Sequence, residues 1–108
     1  MRLLIEYYDQ NETFSKLLPR EGIVQATPTC ADSTHIWYLL RLDEAVLYEG
    51  AEYSHFLVAS RWSGESVGKW IPVSVFILLV PSHVTVADGF SYKQFIHVAW
   101  GMASVVRT

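Results

Sequence analysis

The clearest periodic signal in the chain is a pair of alternating apolar and polar runs. Residues 35–47, HIWYLLRLDEAVL, and residues 51–62, AEYSHFLVASRW, are rich in β-branched and aromatic side chains, and only Tyr48, Glu49 and Gly50 separate them. That composition predicts a β-hairpin. A two-residue turn at Glu49 and Gly50 needs positive φ at Glu49, which a residue with a Cβ adopts only at a cost. A three-residue loop with Gly50 in the left-handed position asks nothing unusual of Tyr48 or Glu49. The three-residue loop sets Leu47 opposite Ala51, Leu42 opposite Phe56, Leu40 opposite Val58, Tyr38 opposite Ser60 and Ile36 opposite Trp62. One face is then an apolar core. The other collects Trp37 with Arg61, Leu39 with Ala59, Arg41 with Leu57 and Asp43 with His55, with Tyr53 nearby. A slip of one residue would mix apolar and charged side chains on both faces.

Residues 73–80, VSVFILLV, are apolar except for Ser74, and Pro72 and Pro81 flank them. The run is too short to cross a bilayer as a helix, which takes about 20 residues. Its β-branched content predicts a strand buried on both faces. Both faces must be covered, by a second layer of the same chain or by another copy of it. The C-terminal run 95–106, FIHVAWGMASVV, has a helical reading that leaves Val98, Met102 and Val105 off the apolar stripe and Gly101 inside it. A strand reading puts Ile96, Val98, Trp100 and Met102 on one side and Phe95, His97 and Ala99 on the other, and is preferred. Asp88 and Gly89 predict a turn before it, and Ser91 a cap for a short helical turn. Near the N-terminus, LLIEYY reads as a strand followed by a short helix from Thr13 to Leu18, or as part of one helix ended by Pro19 and Gly22; periodicity leaves both open. Residues 25–34, QATPTCADST, read as a loop.

These elements add up to a mainly β (or α+β) single domain spanning 1–108: an antiparallel sheet or small barrel of about five or six strands, with one or two short helices. A chain of 108 residues buries about two thirds of its unfolded surface without staples. Its 51% hydrophobic and 14% aromatic content is rich for that size, so some apolar surface is expected to meet a partner. The 8 basic and 11 acidic residues are dispersed, so no basic stripe attracts a phosphate backbone and nucleic acid is not an expected partner. Cys30 is the only cysteine. No intramolecular disulfide, CxxC pair or multi-cysteine zinc site can form, and a cytoplasmic setting is expected. The N-terminus lacks a secretory apolar core.

Motifs that promise chemistry are few. GESVG, residues 64–68, matches the G-x-S-x-G elbow that presents a nucleophilic serine, here Ser66. That elbow needs a helix straight after the serine, whereas KWIPVSVFILLV predicts another strand. The same loop fails as a phosphate cradle, with three residues between its glycines instead of four and Trp70 where Ser or Thr belongs. His35, His55, His83 and His97 are never two to four positions apart, so no local pair presents two imidazoles to a metal; neither a metal nor a cofactor is expected.

The mixed hairpin face therefore carries the functional expectation. Trp37, Arg41, Asp43, Tyr53, His55, Arg61 and, from the C-terminal strand, His97 combine aromatic surface, guanidinium groups and an apolar floor, a mixture suited to recognition. The expected function is a non-catalytic binding or interaction module that forms a homodimer and takes a small organic ligand or a protein partner on this face. In a barrel, the face would line a ligand cavity. The alternative is a small hydrolase or lyase using one of these histidines.

Overall fold

In the computed structural model of the protein, six antiparallel strands follow one another around a closed barrel: β1 (Arg2–Tyr7), β2 (Arg20–Ala26), β3 (Trp37–Tyr48), β4 (Ala51–Ser60), β5 (Val73–Pro81) and β6 (Ile96–Val105). The structure describes residues 1–7, 16–60 and 73–106, with the backbone alone at residues 7 and 97–99. Closure comes from β1 lying against β6, where Leu3 faces Val105 and Ile5 faces Ala103. A closed barrel has no free sheet edge, so every strand has a hydrogen-bonded neighbour on both sides. Both terminal runs are thus strands over Arg2–Tyr7 and Ile96–Val105, as preferred for 95–106 and as one of the two readings for LLIEYY, while residues 8–15, with the start of the helix expected from Thr13 to Leu18, lie outside the described residues. The strand β2 has no counterpart among the predicted elements. Its Gly22 marks a close backbone approach: a Cβ there would sit 2.3 Å from the Arg41 carbonyl oxygen, so only glycine lets β2 lie against β3.

A six-stranded barrel is narrower than the eight-stranded one that side chains just fill, so its interior is packed solid. Leu3, Ile5, Leu40, Phe56, Val58, Val75, Ile77 and Leu79 form that core, with Leu17 and Leu18 packed against it. Small residues on β6 make room for large ones on β5. A Cβ on Gly101 would meet Ile77 Cδ1 at 2.6 Å.

The predicted hairpin forms, but with a different turn. Tyr48 pairs directly with Ala51, which leaves a two-residue turn in which Glu49 has φ 49° and Gly50 φ 81°. This turn follows the right-handed twist of the strands. The left-handed backbone at Glu49 costs about 1 kcal/mol, and the burial of Tyr48 in the barrel offsets it, because a three-residue loop would have kept that ring outside the ladder. Beyond the turn the ladder is irregular between Arg41 and Val46, and then Leu40 faces Phe56, Tyr38 faces Val58 and Trp37 faces Ala59. These partners differ by two positions from the predicted ones. Since side chains alternate with period two, a shift of two preserves the faces. Tyr38 and Leu40 point into the barrel while Trp37 packs outside.

The direction of closure also differs from expectation. The apolar face turned inward and the mixed face turned outward, so the mixed face lines no barrel cavity; burying the more apolar face is the better use of a dry interior. On the outside, two connecting segments cover β3, β4 and β5. Residues 27–36 and 82–95 lay Cys30, Val84, Val86, Phe90 and Phe95 against Trp37, Leu57, Ala59, Leu78 and Val80. The second face of β5 is thus covered by the chain itself. Asp88 and Gly89 form the predicted turn. Ser91 caps a single 3-10 turn, Tyr92–Gln94, by accepting a hydrogen bond from the Lys93 N–H. Among the described residues, no helix is long and apolar enough to cross a membrane.

Candidate ligand-binding cleft

Where the two covering segments diverge, they leave a cavity of about 710 Å³ against the barrel wall. Trp37 of β3 and Phe76 and Leu78 of β5 line it from the barrel, because odd positions on β3 and even positions on β5 face outward. Ala31, Asp32, Ser33, Thr34 and His35 line it from the first segment and Tyr92 from the second. Rings dominate: His35 meets Phe76 edge-on at 5.2 Å, Trp37 stacks beside Phe76 at 6.5 Å, and Trp100 lies 4.1 Å from Phe76 on its other flank. Such ring pairs each add about 0.5–1.5 kcal/mol beyond area burial. They hold the barrel side of the cleft in place.

The rim is organised by Asp32. Its Oδ2 accepts the Ser91 hydroxyl at 2.5 Å, and its Oδ1 accepts the Tyr92 N–H at 3.1 Å and the Cys30 thiol at 3.2 Å. The Ser91 hydroxyl first, then the Cys30 thiol and the Tyr92 N–H, hold this carboxyl below its usual range, so it is an anion at neutral pH. Cys30 moves the other way: burial pushes its thiol up, which leaves it protonated and a poor nucleophile. Further stitches join the segments, with the Thr29 N–H donating to Asp88 Oδ1 at 2.9 Å and the Gly89 N–H to the Thr29 carbonyl at 2.9 Å. Ser33 Oγ accepts the backbone N–H of His35 at 3.1 Å and lies 2.9 Å from its Nδ1. Trp37 is 4% exposed, and its Nε1–H has no hydrogen-bond partner among the described residues.

The predicted site residues divide. Trp37 joins the cleft. Arg41 and His55 face each other across β3 and β4, about 13 Å along the strand from Trp37. There His55 Nε2 meets Gln25 Oε1 at 2.9 Å and His55 Nδ1 meets Ser54 Oγ at 2.6 Å. An amide oxygen only accepts, so Nε2 carries the proton and Nδ1 accepts from the Ser54 hydroxyl. Burial and then Arg41 lower the His55 pKa. Adjacent strand residues normally face opposite ways, but the ladder slips at Ser54 on both sides, and Tyr53 and Phe56 both point inward.

That slip corrects two expectations. Tyr53 belongs to the barrel core rather than to the mixed face. Asp43 does not pair with His55 but bonds the exposed Arg2 guanidinium of β1, the strand beyond β2. His97 occupies the β6 position opposite Leu78, and its side chain lies outside the described residues. Arg61 and the GESVG stretch with Ser66 also lie outside them; the next described element is β5, a strand.

Sequence reasoning missed Asp32, Phe76, Leu78 and Tyr92 as neighbours of Trp37. Residues 84–90, VTVADGF, held a signal: three large apolar residues, Val84, Val86 and Phe90, in a turn-rich stretch must bury against something. Among the described residues no cluster of His, Cys, Asp and Glu could hold a metal ion. No family model, curated protein or solved structure matches the chain.

Proposed function

We propose that the chain is a non-catalytic binding module that holds a small organic ligand, through a flat or branched apolar group, in the cleft between the covering segments and the barrel. The observation that carries this reading is the cavity of about 710 Å³ with Trp37, Phe76 and Leu78 on its barrel side, set against a barrel whose interior is filled by side chains. Its size falls in the range of small-molecule sites, about 300–1,000 Å³, and its lining matches their mix of apolar walls with a few fixed polar groups. The buried Trp37 N–H beside it has no partner among the described residues, and an occupant's acceptor group would supply one after a small shift of the ring.

A screen of small organic compounds for stabilisation against heat tests the reading. A ligand present at about 100 times its Kd adds about 2.7 kcal/mol, a rise of several degrees in Tm for a chain of this size. The rise is expected to vanish in Phe76→Ala. A screen in which every stabilising compound acts equally on that variant overturns the reading.

A second copy of the chain is the other occupant we propose, since Ile36 and Tyr92 are both exposed large apolar side chains, Tyr92 lining the cleft and Ile36 standing in sequence between its lining residues His35 and Trp37. Sedimentation tests this homodimer: association that weakens in Ile36→Ser supports it. A cytoplasmic setting belongs to the same proposal and is supported by the unpaired Cys30. The hydrolase alternative draws on the Ser54–His55 contact alone. It stands or falls on ester hydrolysis abolished by Ser54→Ala.

A further inference from the structure

We infer that the cleft selects an organic cation, with a methylated ammonium group seated among the rings of Trp37, Phe76 and Tyr92 and balanced by the Asp32 carboxylate. This rests on the cleft being a ligand site. Of the nine residues lining it, Asp32 is the one carboxylate, and none is lysine or arginine. An anionic ligand would face an unopposed carboxylate. A neutral ligand seeking hydrogen bonds would find that carboxylate engaged, since its two oxygens already accept from Ser91, Tyr92 and Cys30. Those three bonds occupy lone pairs while fixing the charge in place. A quaternary ammonium suits what remains, because it offers no N–H donors and spreads its charge over methyl groups. Such groups are held by π faces within about 6 Å and by a nearby negative charge. The aromatic lining supplies the first and Asp32 the second, and the chain's net charge of −3 adds a weak attraction for cations.

The test compares choline with its neutral isostere 3,3-dimethylbutan-1-ol, which differ in one atom and one charge, in binding titrations of the whole chain followed by heteronuclear NMR. Choline is expected to bind about tenfold more tightly. The advantage should shrink with added salt, since the Debye length falls to about 3 Å at 1 M. Tyr92→Leu, at an exposed position that leaves the barrel untouched, is expected to weaken choline binding and spare the isostere, and Asp32→Asn should narrow the gap. Equal binding of the two probes in the cleft overturns the cation preference and leaves the binding reading standing. Binding of neither, while benzoate or indole binds there, has the same consequence. If no probe of any charge enters the cleft, the inference and the reading beneath it both fail.

Discussion

The inside and the outside of the barrel both carry apolar clusters, yet they are held together differently. Inside, Leu40, Phe56, Ile77 and their neighbours sit on strands paired on both sides, so backbone ladders fix the spacing of their side chains. Outside, Phe90, Val84 and Val86 sit on segments joined to each other by one isolated bridge, Cys30 to Phe90, and by side-chain bonds from Asp32, Asp88 and Ser91. Ladders draw strands to about 4.8 Å and leave no room between them. Side-chain stitches leave gaps, and the cleft is such a gap. The difference teaches that a small barrel can keep a solid interior for stability and place its binding surface in a second layer.

Truncating the two clusters sharpens the contrast. Phe56→Ala, at a fully buried interior position, is expected to lose about 3–5 kcal/mol in urea unfolding, with loss of hydrogen-exchange protection throughout the barrel. Phe90→Ala is expected to lose less, about 2 kcal/mol. Its protection loss should be confined to residues 27–36 and 82–95. Equal costs and equally global loss of protection would mean that the two layers are one cooperative unit.

A smaller effect comes from His55, on the outer face beyond the cleft. Burial and Arg41 hold its pKa below the ordinary 6.5, so below that value the unfolded chain binds the proton more readily than the folded one. Its contribution is therefore complete above about pH 6.5 and is lost as pH falls towards the lowered folded value. His55→Gln is expected to flatten this part of the stability profile between about pH 5 and pH 8. An unchanged slope would show that the imidazole titrates freely.

The smallest effect belongs to the exposed Arg2–Asp43 pair. Asp43→Asn is expected to change stability by less than about 1 kcal/mol, measured by urea unfolding, and to leave the cleft unaffected.

The architecture was legible in the sequence where alternation and turn residues agree. The hairpin, as β3 and β4, the 73–80 strand and the Asp88–Gly89 turn all form, and the opposite facing of Trp37 and Leu40 survives because a two-residue change of register preserves parity. The turn itself was not legible from local cost. Glu49 accepts positive φ because Tyr48 and Tyr53 gain burial inside a barrel that no single hairpin reveals. The loss of Tyr53 from the mixed face has the same origin, a slip at Ser54 that only two neighbouring strands together define. The cleft was half legible. Trp37 announces it, but Phe76 and Tyr92 lie 44 and 60 positions along the chain from Asp32, and the pairing of β3, β4 and β5 under the two covering segments sets them side by side.

The most direct test of this account maps where a binder lands. Amide chemical shifts of the whole chain, recorded during titration with the best stabilising compound of the screen, are expected to move at residues 31–37, 76–78 and 92, while Leu40, Phe56 and Val75 of the interior stay still. Shifts centred on Arg41, His55 and Gln25 instead, or spread through the interior strands, would contradict it.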